Sequence, residues 1–222
     1  MFKDALKYSI NFDKSIDYVI GSILYIISSI FILPFILYYG YLIKILRTTI
    51  NGEEKPPSFT NITPYLMIMD GLKYAAIYLV YLLIVGIPYI LLLNYSNINI
   101  IILDILLFAT GLIISYIFIS SILVLSRTNK FINSFKPSYI KPILVSKSYF
   151  IAYSFVLILS IIISFAYIIG VLMLFFIPII GWFLLIPVIL FTPLGVFLYS
   201  LFVYRIYGLT YKAILKDTAS VN

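Results

Sequence analysis

In 222 residues the chain is 64% hydrophobic and 10% charged, with a mean hydropathy of +1.15; an ordinary soluble domain is roughly 45–50% apolar and about 25% charged. So few charges cannot cover the apolar surface of a water-soluble fold of this size, and the absence of cysteine and histidine excludes disulfides, thiolate nucleophiles, zinc–thiolate sites and imidazole acid–base chemistry. The net charge of +7 has the sign that nucleic acid would need, but its placement along the chain assigns it to a membrane surface instead.

The N-terminal tail does not read as a cleaved signal peptide. Asp4, Asp13 and Asp17 precede the first apolar run, and no small-residue cleavage site follows it. Phe2, Ala5, Leu6 and Ile10 share one face of a short helix, which predicts an interfacial element.

A spanning helix needs about 20 mainly apolar residues, so stretches free of Asp, Glu, Lys and Arg mark the spans. There are 26 such residues between Asp17 and Lys44, 30 between Lys73 and Asp104, 22 between Asp104 and Arg127, and 57 between Lys147 and Arg205. The second stretch is interrupted by Asn94-Tyr95-Ser96-Asn97-Ile98-Asn99. The last would be roughly 85 Å long as one helix, against a hydrocarbon core of ~30 Å, so it must turn back, and Pro178 to Gly181 offers the turn. The chain therefore predicts a single all-α domain over 1–222, an integral membrane helical bundle of about five transmembrane helices at about 18–43, 74–93, 105–126, 149–175 and 180–204, with loops at 44–73 and 127–148. Runs such as Ile161-Ile162-Ile163 do not alternate in polarity and exclude barrel strands. The first span is long for one helix. Either Pro34 kinks it, or the segment dips in and returns near Pro34 with both ends on one side.

Lys and Arg count three in the N-terminal tail, four from Lys44 to Lys73, five from Arg127 to Lys147 and three after Tyr204, with none in the other two connections. The positive-inside rule then puts 44–73, 127–148 and the C-terminus in the cytoplasm, where the cations meet anionic headgroups. With five spans the N-terminus lies outside. Tyr38, Tyr39, Tyr41, Tyr74, Tyr78, Tyr149, Tyr153, Tyr204 and Tyr207 fall at that cytoplasmic interface, and the lone Trp182 at the opposite one.

The motifs carry little chemistry. Asn51-Gly52, Pro56-Pro57 and Thr63-Pro64 structure the first loop, with Thr63-Pro64 starting a short helix. Glu53 and Glu54 read as solvated. Lys44 and Arg47 are i,i+3 neighbours, suited to snorkelling or to docking the Asp70 segment or a partner. Gly111/Ser115, Ser160/Ser164 and Ala166/Gly170 have the four-residue spacing of close helix contacts. Gly86, Pro88, Pro187, Pro193 and Gly195 interrupt two spans, as in some transporters. No ionisable group lies inside a span, and Asp104 stands only at the mouth of the third. The sequence supplies no catalytic residue, no cofactor site and no metal ligand set.

Asp4-Ala5-Leu6-Lys7-Tyr8, Gly40-Tyr41-Leu42 with Lys44 and Arg47, Asn51-Gly52-Glu53, Pro57, Asp70-Gly71-Leu72-Lys73, Gly181 and Arg205-Ile206-Tyr207-Gly208-Leu209-Thr210-Tyr211 together resemble the largely archaeal multi-pass membrane family known as domain of unknown function 4013. The resemblance implies an integral protein of a prokaryotic, archaeal cell membrane and supplies no catalytic residue. It leaves Gly40, Tyr41, Lys44, Arg47, Asp70, Gly71 and Lys73 as motif residues without a role. The expectation is a non-enzymatic structural or accessory protein, with a transporter or channel for a small solute as the alternative. The lipid bilayer and its anionic headgroups are the expected partners, nucleic acid is not, and protein partners and homo-oligomerisation stay open.

Overall fold

The computed structural model describes residues 1–11, 15–95, 100–177 and 180–219. Of the expected interruption from Asn94 to Asn99, the first two residues continue the helix to Tyr95, while 96–99 lie outside these residues, as do Pro178, Asp13, Asn222 and the side chain of Trp182. Among the described residues eight α-helices follow one another: α1 (Phe2–Ser9), α2 (Ile16–Ser28), α3 (Ile32–Asn51), α4 (Pro64–Tyr95), α5 (Ile100–Thr128), α6 (Pro137–Leu144), α7 (Lys147–Phe176) and α8 (Ile180–Ala219). Short 3-10 turns at Phe59–Asn61 and Phe131–Phe135 complete the connections.

The all-α bundle is the one the uncharged stretches predict. Among the described residues, four helices contain segments long and apolar enough to cross a membrane: Pro64–Leu93, Leu103–Thr128, Lys147–Phe176 and Phe183–Asp217. Their outer halves are dressed in apolar side chains that face outward, and 161–170 of α7 is exposed at every position. In water that surface would be prohibitive, whereas hydrocarbon solvates it. The protein is membrane-embedded.

The first expected span, 18–43, is not one helix. It breaks at Ser29–Phe31, and α2 and α3 fold back as a hairpin: Tyr25 packs on Tyr38 at a ring separation of 5.7 Å, and the start of α2 meets the loop beyond α3. At 13 residues α2 is about 20 Å long, short of a ~30 Å core. The re-entrant alternative is therefore the one realised, and the N-terminus lies at the same end of the bundle as the first loop. Pro34 sits in the first turn of α3, where its missing N–H costs no hydrogen bond. The hairpin tip is apolar, with Ile30 71% and Ile32 80% exposed.

Other boundaries shift for local reasons. α3 carries Lys44 and Arg47 as helical residues and stops only at Gly52, whose φ of +93° provides a left-handed cap. The helix expected to start at Thr63-Pro64 does so, but runs without a break through Asp70-Gly71 into the span, so α4 begins ten residues before 74. α8 continues past 204 to Ala219, because nothing in Arg205 to Ala219 breaks a helix. The loop at 127–148 contains α6.

The packed core gathers at the loop end. Ile43, Leu46, Ile77, Leu125, Ile143, Tyr149 and Ile206 are fully buried there, drawn from α3 to α8. The tightest crossing joins α3 and α4. A Cβ on Gly40 would lie 1.9 Å from the Met67 carbonyl oxygen, and one on Gly71 would lie 1.9 Å from that of Ile36. Only glycine at both positions permits this approach.

Candidate functional site

The charged residues at the loop end form two clusters, and each ties helix termini together. In the first, Arg47 of α3 grips Asp70 of α4 with both guanidinium arms, Nη1 to Oδ2 at 2.9 Å and Nη2 to Oδ1 at 3.2 Å. Its Nε donates to the carbonyl of Ser126 at 3.2 Å, and Nη2 reaches the Asn129 side chain at 3.4 Å. Lys73, three residues after Asp70 on α4, donates to the Asn129 carbonyl at 3.1 Å and to its side-chain oxygen at 2.7 Å. Asn129 takes a positive φ of 55° just beyond α5, a conformation asparagine tolerates better than most residues. The last carbonyls of a helix lack intrahelical donors and carry partial negative charge. Arg47 and Lys73 supply the missing donors and the opposite charge together.

The second cluster surrounds Arg205 of α8, which is almost wholly buried. Its Nε donates to Asp4 at 3.0 Å, and Nη1 donates to the Glu53 carbonyl at 2.6 Å and the Thr49 hydroxyl at 3.4 Å. The guanidinium lies 4.3 Å from the ring centroid of Tyr8, within the reach of a cation–π contact. The Tyr8 hydroxyl pairs with Thr48 at 3.3 Å, and burial pushes its phenol up from the ordinary value. Phe2 packs on Phe155 of α7 at 4.1 Å. The short N-terminal helix expected at an interface is thus docked on α3, α7 and α8.

A third polar contact anchors the hairpin. The buried Asp17 accepts from the Ser58 hydroxyl and the Phe59 amide, both at 3.0 Å, through one oxygen, while Oδ2 has no hydrogen-bond partner among the described residues. Tyr41 of α3 donates to the Pro57 carbonyl at 2.9 Å and stacks on Phe59 at 3.9 Å.

Of the motif residues singled out in the sequence, Arg47, Asp70 and Lys73 meet in one cluster. Gly40 and Gly71 form the crossing that brings them there, and Tyr41 fastens the loop. Lys44 is half-buried and makes no hydrogen bond or ion pair among the described residues. For Arg47 the docking alternative applies, with the Asp70 segment as its partner. Asp4, Tyr8, Asp17 and Ser58 escaped sequence reasoning as a site. The available signal was Asp4 and Asp17, two acids in a basic chain's N-terminal tail that meet Arg205 and Ser58.

Deeper in the bundle, hydroxyls pair helix to helix. Tyr38 donates to Ser200 at 2.9 Å between α3 and α8. Tyr81 pairs with Ser121 at 2.7 Å between α4 and α5, Ser115 with Tyr153 between α5 and α7, and Ser160 with Tyr199 at 2.6 Å between α7 and α8. The Tyr149 hydroxyl donates to the Tyr116 carbonyl at 2.6 Å. Such bonds are worth on average about 0.6 kcal/mol in membranes.

Among the described residues, no group of three or more His, Cys, Asp or Glu side chains is placed to hold a metal ion. What the clusters do chemically is fix helix ends. Neither a curated protein nor a solved structure matches the chain. One family matches residues 23–175, a range that includes the Arg47–Asp70–Lys73 cluster and leaves out Asp4, Tyr8, Asp17 and Arg205. The chain belongs to that family, described as protein of unknown function (DUF4013).

Proposed function

We propose that the protein is a non-enzymatic structural or accessory component of the cell membrane, with the loop end and the C-terminus in the cytoplasm. The observation that carries this reading is the use of polar groups. Arg47, Asp70, Lys73 and Arg205 are committed to bonds within the chain, and the hydroxyls of Tyr38, Tyr81, Ser115, Ser121, Tyr153, Ser160, Tyr199 and Ser200 pair across the helices. Polar groups spent on packing specify a rigid bundle, whereas a conduction path presents them to water or solute. The positive-inside distribution of Lys and Arg supports the orientation.

A second reading, a transporter or channel for a small solute, draws on Pro88 inside α4 and on Pro187 and Pro193 inside α8. Each removes a backbone donor from the helix interior and creates a place to bend.

The cysteine-free background separates the two. Single Ser→Cys variants at Ser22, Ser28, Ser115, Ser160, Ser164 and Ser200 are treated in native membranes with a charged thiol reagent, which reacts quickly only with water-exposed thiolate. The structural reading expects no reaction at these positions while the exposed loop control Ser138→Cys reacts. Reaction at several mid-span positions transfers support to the transporter reading. A reporter fused after Asn222 is expected to read cytoplasmic, and an external reading inverts the topology.

A further inference from the structure

Two features on the α4–α5 side of the bundle are used by neither cluster. The first is a cleft of about 340 Å³ between these helices, walled by Tyr81, Val85, Gly86, Gly111, Ile114 and Phe118. It is open because two glycines face it: a Cβ built at Gly86 or Gly111 meets nothing within 4 Å. Apart from the Tyr78 hydroxyl, its polar side chains are occupied elsewhere. The Tyr81 hydroxyl pairs with Ser121, and Ser115 bonds to Tyr153 and to the Leu112 carbonyl. What remains is a hydrocarbon surface inside a membrane-spanning hairpin. Cavities with such walls stay dry and take apolar ligands.

The second feature is a basin of about 540 Å³ at the loop end, lined by Lys130, Phe131, Ile132, Asn133 and Lys136. It belongs to the connection from Arg127 to Lys147, which holds five cations and no acid. Lys130 and Lys136 are exposed, and neither is in an ion pair among the described residues. The basin and the cleft are joined by aromatic contacts. Phe131 of the basin packs edge-on to Phe135 at 5.1 Å, and Phe135 stacks on Tyr81 of the cleft wall at 6.0 Å. A basic basin at the loop end is thus linked, through the packed rings of Phe135 and Tyr81, to a hydrocarbon cleft between two membrane-spanning helices.

We propose that these two features form one lipid site. A hydrocarbon chain of an anionic phospholipid from the loop-end leaflet lies in the α4–α5 cleft, and its phosphate rests against Lys130 and Lys136. Charge selects the headgroup, since basic pockets beside spanning helices bind anionic lipid. The missing side chains at 86 and 111 admit the chain.

The test is native mass spectrometry of the protein released from nanodiscs of equal parts phosphatidylglycerol and phosphatidylcholine. The expected result is one retained phosphatidylglycerol, favoured over phosphatidylcholine by about tenfold or more, as two lysines near the headgroup imply. Lys130→Gln with Lys136→Gln brings that ratio towards one. Gly86→Leu with Gly111→Leu, placed where a Cβ meets nothing within 4 Å, abolishes retention of both lipids while the melting temperature stays near that of the parent. Val85→Phe fills the same space from another position and serves if the glycine pair fails to fold. Retention unchanged by both filled-cleft variants overturns the chain assignment. A phosphatidylglycerol preference unchanged by the lysine variants overturns the headgroup assignment. Saturable binding of inorganic phosphate to delipidated protein that survives the filled cleft assigns the basin to a soluble anion and overturns the lipid site.

Discussion

Gly71→Ala isolates the α3–α4 crossing. The new methyl would lie 1.9 Å from the Ile36 carbonyl oxygen and 2.8 Å from the Ile36 side chain, and the first of these is backbone that no rotamer change can move. Restoring an ordinary separation of about 3.4 Å requires the helices to part by roughly 1.5 Å. Overpacking of this kind costs typically 1–3 kcal/mol. The displacement also pulls on the Arg47–Asp70 fork, whose two bonds measure 2.9 and 3.2 Å, and charge-assisted bonds contribute about 1.5–3 kcal/mol. Because Arg47 is about one-quarter exposed, solvent replaces part of that loss. A destabilisation of about 3 kcal/mol follows, a little over a hundredfold in the folding equilibrium. The control is Gly86→Ala on the same helix, where the new methyl meets nothing within 4 Å and the helix gains up to roughly 1 kcal/mol of propensity. Thermal unfolding in detergent should lower the midpoint for Gly71→Ala and leave it level or raise it for Gly86→Ala. Gly40→Ala should behave like Gly71→Ala, and the double variant should cost less than the sum, since helices parted for one methyl already accommodate the other. Equal midpoints for Gly71→Ala and Gly86→Ala would refute the close crossing.

The remaining predictions concern the second cluster and the hydroxyl pairs. Arg205→Lys keeps the charge but loses the fork that reaches Asp4, Thr49 and Glu53 together; we expect a loss of roughly 2–3 kcal/mol and faster tryptic cleavage after Lys3 and Lys7 as α1 is released. Burial holds the Tyr8 phenol above its ordinary value of 10.0, so the folded state keeps a proton that a released α1 gives up. The resulting contribution is complete below the ordinary value and fades as pH rises through the folded one, so α1 should become protease-sensitive at alkaline pH, and Tyr8→Phe should remove that component. Tyr153→Phe deletes one hydroxyl from the α5–α7 contact and should lower stability by about 0.6–1.7 kcal/mol in a detergent unfolding titration, without moving the charged clusters.

Local signals decided how much of this architecture was legible. Helices α4, α5, α7 and α8 follow from stretches without charge, because in hydrocarbon the backbone must satisfy itself and only length and apolarity matter. The lengths of α4 and α8 were less legible. A rule that stops a span at the first charged residue ends it at Lys73 or Arg205, yet these helices continue as loop-end extensions, with Lys73 and Arg205 bonded within the protein. The sequence marked Arg47, Asp70 and Lys73 and offered the Asp70 segment as one docking partner for Arg47, but with 23 residues and a turn between the pair no spacing rule could choose that over snorkelling. The Arg205–Asp4 contact spans 201 residues, and no spacing rule operates at that distance.

The hairpin of α2 and α3 is the place where a membrane protein turns its backbone inside the bundle, and its sequence answers the difficulty that this creates. An exposed turn in hydrocarbon leaves polar backbone groups without water, at several kcal/mol each. Ser28 and Ser29 donate their hydroxyls to the Tyr25 and Ile26 carbonyls at the end of α2. The amides of Ser29, Ile30 and Phe31 return to Ile26 and Ile27. Pro34 then removes one amide from the opening turn of α3, while Phe31 accepts the Phe35 amide at 3.2 Å. Two serines followed within six residues by proline thus satisfy, or delete, polar groups on both sides of the bend, and the flanking Ile30 and Ile32 present only hydrocarbon at the tip. A kinked span would need the proline alone. The serines here satisfy carbonyls where the chain stops, turns and goes back, with Asp17 fixing one foot of the hairpin to Ser58 and Arg47 fixing the other to Asp70.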